Sequence, residues 1–258
     1  MTALGFSPQP GSAPLAAMVW THARMETRLL ARNGEQLLLA LVIPLLLLVG
    51  GAESGSVVNL GAGRRIDVLT PGVLALAVMS TSFTSLAIAT GFERRYGVLK
   101  RLGASPLPRA GLLLGKIGSL LLVEAVQLVL IGATGLALGW HPHAHASEVI
   151  AAAMLVLAGT AAFAALALLM AGTLRAEATL AAANLVYILL LVAGAVVVPL
   201  SSYPSALRQV VTLLPSGALA EGLREALSGS AFGWLRLLVL VGWAAVASAA
   251  AVRFFRWE

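Results

Sequence analysis

The sequence predicts an all-α integral membrane protein with six transmembrane helices preceded by an interfacial helix. Three observations carry that prediction. Hydrophobic residues fill 59% of the 258 positions and charged residues only 11%, where a soluble domain carries about a quarter charged. Six apolar stretches approach or meet the roughly 20 residues a helix needs to cross the hydrocarbon core. The basic residues lie between those stretches, as orientation determinants do. The net charge of +6 has no aromatic-interleaved basic surface behind it that would suit nucleic acid.

Residues 1–14 read as a flexible polar leader, lacking the basic start and apolar run of a secretory signal. From 15 to about 34 an interfacial helix is expected. Arg24, Arg28 and Arg32 recur every four residues on one face. His22 and Glu26 intrude on the apolar side, and a plain basic flank before the first span is the alternative. Spans are expected at about 37–52, 71–91, 112–140, 149–172, 180–200 and 232–252, forming one six-helix transmembrane domain over 15–258. The first is short, and the third is long enough that it must tilt or protrude. With the N-terminus inside, the inner segments hold twelve Lys and Arg and the outer segments five, so both termini are expected to be cytoplasmic.

Cysteine is absent, which removes disulfides, thiolate nucleophiles and thiolate-ligated metals. Polar groups at membrane depth are costly and mark candidate functional positions. Glu124 sits near the middle of the third span with Gln127 three residues on. Either the pair lines a path, or it packs helices by hydrogen bonding. Ser80 and Thr84 share a face of the second span, and Asn184 and Tyr187 lie three apart on the fifth. Hydroxyls are also ordinary packing material in membrane helices. The loop histidines His141, His143 and His145 have Glu148 as their nearest acid, and no metal role is assigned to them.

The segment from Phe92 to Lys116 carries the most information. A turn between two spans needs few polar residues, yet Arg94, Arg95, Lys100, Arg101, Arg109 and Lys116 crowd around a single acid, Glu93. A short helix is expected from Glu93 to Leu102, then a break at Ser105-Pro106-Leu107-Pro108, because proline biases its predecessor away from helix. Glu93, Arg94, Arg95, Gly97, Leu99, Lys100, Leu102, Ser105, Pro106, Gly115 and Lys116 resemble the corresponding loop of type-two ABC permeases, the membrane subunits of drug and polysaccharide exporters. That resemblance implies a coupling helix docking on an ATPase, with Glu93, Arg94, Arg95, Gly97, Leu99, Lys100, Arg101 and Pro106 as its coupling residues. A second match follows the fifth span at Pro199, Pro204, Leu214, Pro215, Glu221, Leu223 and Arg224. In that family such a segment forms short outer helices that partly re-enter the membrane, so Pro204, Pro215, Glu221 and Arg224 are expected there.

The nearest approach to a nucleotide-binding loop is Gly111-Leu-Leu-Leu-Gly115-Lys116-Ile117. It has one residue too few between the glycines and lacks the Ser or Thr that holds Mg²⁺. The resemblance therefore implies ATP and Mg on a separate ABC ATPase in two copies, and no cofactor on this chain. It also implies a second permease subunit in a homodimer, a bacterial-type cytoplasmic (inner) membrane, and a candidate path lined by Ser80, Thr84, Glu124, Gln127, Asn184 and Tyr187. The expected function is export of a hydrophobic or amphipathic compound such as a drug, lipid or polyketide-like molecule. An intramembrane enzyme would need a catalytic set that Glu124 alone does not supply. A transporter or channel driven by an ion gradient often shows internal repeats, and none is evident.

Overall fold

The computed structural model describes residues 12–32, 34–53, 64–143, 145–230 and 232–255. Most of the leader expected at 1–14 lies outside them, as does Arg256. Among the described residues every regular element is helical: α1 (Leu15–Arg32), α2 (Gly34–Glu53), α3 (Arg65–Arg95), α4 (Val98–Gly103), α5 (Arg109–Ala137), α6 (Ala146–Thr173), α7 (Ala176–Ala193), α8 (Ser205–Leu213), α9 (Pro215–Leu227) and α10 (Trp234–Phe254). Proline punctuates several starts. Pro108 and Pro204 directly precede α5 and α8, and Pro215 is the first residue of α9, where a missing N–H costs nothing.

Five of these helices, α3, α5, α6, α7 and α10, are long and apolar enough to cross a membrane. The helix α3 is the axis of the bundle. In its most apolar window 72% is buried, against 17–44% for the other four. It packs against α2, α5, α6, α7 and α9. Between Ser80 and Ser85 its backbone widens into a π segment, a feature that in helices often marks a functional position. Phe83 within that segment meets Phe163 of α6 with ring centroids 6.4 Å apart, which holds the widened turn against its neighbour.

Helix ends differ from the sequence expectation where charge or tertiary contact decides them. The second span, expected at 71–91, belongs to a helix running from Arg65 to Arg95. Polar residues extend it beyond the apolar window at both ends. The third, expected at 112–140, runs from Arg109 to Ala137. Its 29 residues rise about 43 Å, more than the ~30 Å core, and α1 packs along the surplus at its start. Leu15 lies near Gly111, the His22 ring covers Gly115, and Ala23 faces Gly118. So α1 buries His22 and Ala23, while Trp20, Met25 and Leu29 stay exposed. The residues that spoiled the amphipathic pattern are the ones that dock.

The fifth span is the clearest correction. Expected to reach Leu200, α7 stops at Ala193. Gly194 lies so close to α9 that a Cβ there would sit 1.9 Å from Ser216 Oγ. Ala195 then takes a left-handed φ of 54°, which ends the helix.

Candidate functional site

Arg94, Arg95, Lys100, Arg101, Lys116 and Arg175 gather at one end of the bundle, and the loop between α3 and α5 is built there from the inside outward. The helix expected from Glu93 to Leu102 is two helices. α3 carries Glu93, Arg94 and Arg95 as its last turn, and Gly97 breaks the chain with φ 69°, a region that glycine enters at no steric cost. α4 restarts at Val98 and bears Lys100 and Arg101 exposed, with Leu99 buried beneath. Ser105 Oγ donates to the Leu102 carbonyl at 2.6 Å, closing the turn in front of Pro106, which is itself exposed.

Glu93 faces inward. Lys116 Nζ donates to Glu93 Oε1 at 2.6 Å and to Glu26 Oε1 at 3.1 Å, with the lysine side chain 6% exposed. One ammonium therefore ties α1, the end of α3 and the start of α5 together. His22 Nε2 stands 3.6 Å from Glu26 Oε1. Burial holds the imidazole below its ordinary pKa, against the upward pull of Glu26, and Lys116 lowers it further. Arg94 donates to the Gly172 carbonyl at 2.6 Å and also to that of Leu174, while Arg95 pairs with Glu177. The first three loop residues thus anchor it to α1, α5, α6 and α7. The exposed face is made by Tyr96, Val98, Lys100, Arg101 and Pro106.

At mid-bundle, hydroxyls from three helices meet the polar residues singled out in the sequence. Glu124 and Gln127 are each 1% exposed. Thr160 Oγ1 of α6 donates to Glu124 Oε2 at 2.7 Å, and Thr81 Oγ1 of the π segment donates to Gln127 Oε1 at 2.7 Å. Tyr187 comes against Ser80, so α7 reaches the same segment. Thr84 is half-buried, and its Oγ1 has no partner among the described residues. Asn184, in contrast, is exposed on the outer side of α7. The candidate path residues therefore divide: Ser80, Thr84 and Tyr187 border one half-open surface, Glu124 and Gln127 are buried behind it, and Asn184 points away from the helices described.

At the opposite end, Arg224 of α9 organises the break after α7. Its guanidinium donates to the carbonyls of Ala195 (2.6 Å), Val196 (2.6 Å) and Val68 (3.1 Å) and to Glu221 Oε1 (2.8 Å). Glu221 Oε1 in turn accepts the Leu200 N–H at 2.7 Å. Backbone that has left a helix needs such partners wherever water is excluded. Gly72 makes room for the arrangement, since a Cβ there would lie 2.1 Å from the Val196 carbonyl oxygen and 2.7 Å from Arg224 Nη2. Pro204 is exposed at the head of α8, and Pro215 is buried at the head of α9. Of the loop histidines, His143 donates its backbone N–H to the Leu227 carbonyl at 3.0 Å and its ring packs over Gly229.

Several residues that complete these constellations escaped the sequence reading. Thr160, Thr81 and Gly72 are common residue types in apolar runs and carry no local signal. Glu26 and His22 did carry one, as polar intrusions in an otherwise amphipathic helix. The family model described as ABC-2 type transporter matches residues 15–228 of the chain, which takes in the loop, the mid-bundle hydroxyls and Arg224. No curated protein matches the chain. With five apolar helices of crossing length, that match makes the chain a multi-pass membrane protein.

Proposed function

Because this chain belongs to the ABC-2 type transporter family, we propose that it is the membrane subunit of an ATP-driven exporter of a hydrophobic or amphipathic compound. Members of the family are transport subunits that work with an ABC ATPase subunit. On this proposal α2 is the sixth crossing. Its 20 residues rise about 30 Å, the thickness of the hydrocarbon core. The basic end and both termini face the cytoplasm of a bacterial-type inner membrane. There α1 lies in the interface, with Met25 and Leu29 toward lipid.

The observation that carries the proposal is the loop at 96–106. Its exposed basic and aromatic face is mounted on residues that are themselves locked into the bundle. Glu93 is held by Lys116, Arg94 by two carbonyls and Arg95 by Glu177. A push on α4 is therefore delivered to α3, α5 and α1 together and is not absorbed by a loose hinge. Two ATPase subunits, holding ATP and Mg, would dock on the loops of two copies of this chain. Asn184 favours a homodimer: a lone amide on a lipid-facing surface at mid-span is costly, and a two-fold axis would bring it against its own copy. Ser80, Thr84 and Tyr187 would then border the path at the dimer centre. In a gradient-driven transporter Glu124 would need an aqueous route, but it is 1% exposed, so that reading has less support.

Two predictions test this. Gly97→Val places a β-branched residue at φ 69° and Lys100→Glu/Arg101→Glu inverts the exposed charge. Each is expected to lower ATP-dependent transport by the assembled complex about tenfold, a loss of ~1.4 kcal/mol of coupling, while the basal ATPase rate persists. Unchanged transport in the charge-inverted variant would remove the loop from the docking role. For the second, Glu124→Gln should cost less than about 1 kcal/mol of stability, because Thr160 keeps its 2.9 Å bond to the Val156 carbonyl. A transport defect in that stable variant would assign Glu124 to the path, and normal transport would assign it to packing.

A further inference from the structure

Where α3 ends and α7 begins, Gly91, Arg94, Arg95, Arg175, Ala176 and Glu177 line a cavity of about 340 Å³. Three guanidiniums face one carboxylate in it, so the cavity is two charges positive. Two of the arginines are committed. Arg94 holds the Gly172 and Leu174 carbonyls, and Arg95 pairs with Glu177, the cavity's only acid. Arg175 is exposed, and its guanidinium has no hydrogen-bond or ion-pair partner among the described residues. Beside it, the first turn of α7 has no side-chain cap, leaving backbone N–H groups as donors. The cavity is thus equipped for an anion through Arg175, with the committed arginines adding field.

The surroundings identify the kind of anion. The cavity sits at the level where α3, α6 and α7 end or begin, which is the headgroup level of a bilayer crossed by these helices. From its rim an apolar column runs down the exposed side of α7, on the flank away from Asn184: Leu185 is 59% exposed, Leu189 56% and Val192 71%. A soluble anion would have no use for that column, whereas a diacyl lipid would fill both parts. Basic pockets between membrane helices on the cytoplasmic side are suited to such headgroups. We propose that the cavity binds the phosphate headgroup of an anionic membrane lipid, with its acyl chains laid along the Leu185–Leu189–Val192 column. The proposal rests on the membrane-subunit reading above, with the basic end at the cytoplasmic leaflet. It gives Arg175 a role that docking of an ATPase on α4 does not require.

The test uses the full chain in nanodiscs containing phosphatidylglycerol and phosphatidylcholine, without any ATPase. Retained lipid is counted by mass spectrometry after detergent extraction. The wild-type chain is expected to retain phosphatidylglycerol preferentially. Arg175→Gln should reduce that retention about fivefold, Arg175→Lys should keep most of it, and Arg253→Gln, at the same end but outside the cavity, should leave it unchanged. Equal retention by wild type and Arg175→Gln would overturn the proposal, as would an equal loss in Arg253→Gln, which would point to a general basic belt. Competition by inorganic phosphate alone at millimolar concentration would also overturn it, in favour of a soluble anion. Orientation is checked separately. The chain has no cysteine, so Arg175→Cys provides a unique thiol for a membrane-impermeant reagent. Labelling from the outside would defeat the orientation, whereas correct orientation with no lipid preference would defeat only the lipid site.

Discussion

Replacing Arg224 with alanine is expected to destabilise the protein by about 3–5 kcal/mol, the usual loss when one member of a buried charged pair is removed. The side chain is 9% exposed and serves four acceptors on three segments: Val68 on α3, Ala195 and Val196 in the break after α7, and Glu221 on α9 itself. Without it the Glu221 carboxylate retains, among the described residues, only the Leu200 N–H, and the carbonyls of Ala195 and Val196 lose their arginine donors. Arg224→Lys should recover little, because an ammonium cannot reproduce the planar fork that spans these oxygens. Thermal unfolding and monodispersity of the purified protein are the measurements. A melting temperature in Arg224→Ala close to that of Arg28→Ala, an arginine exposed on α1, would show that the break after α7 does not depend on this side chain.

The second large effect is expected at Lys116. Lys116→Met keeps the aliphatic stem and removes the ammonium, leaving Glu26 and Glu93 facing each other at side-chain exposures of 13% and 20%. The unbalanced pair should cost about 2–3 kcal/mol, below the fully buried case because water reaches both carboxylates in part. Neutralising the acids as well, in Lys116→Met/Glu26→Gln/Glu93→Gln, should recover most of the loss. An exposed control, Lys100→Met, should change stability by less than about 0.5 kcal/mol. If the triple variant were no more stable than Lys116→Met, the loss would come from packing and not from charge. The same substitution bears on coupling. Lys116 joins α1 and both helices that flank the loop, so Lys116→Met should also weaken transmission from the docking face.

Much of the loop was legible in the sequence because its signals are local: a glycine between two charged turns, a Ser-Pro break and a density of arginine that no simple turn requires. The division of labour within it was not. Glu93 and Arg94 read like Lys100 and Arg101, since a sequence shows charge but not the side to which a helix turns it. Gly97 decides that side by ending α3 one turn after Glu93. The Gly-x-x-x-Gly-Lys run was legible as a false nucleotide loop, yet nothing nearby in the chain announced that its lysine would meet Glu26, ninety residues earlier. Likewise Glu124 and Gln127 were visible as polar groups in an apolar run, while their partners, Thr160 and Thr81, looked like any other membrane threonine.

By itself the sequence determined the membrane setting, the helical class and the sites where charge gathers. Apolar length and charge density act on each stretch independently of its neighbours. Only the tertiary structure decided where α7 stops, which basic residues face inward, and which face of α1 docks. Those outcomes depend on groups brought together from distant parts of the chain, as when Arg224 reaches Val68 across 156 residues. A buried donor far from water takes whichever acceptor the packing supplies, and packing is a property of the whole bundle.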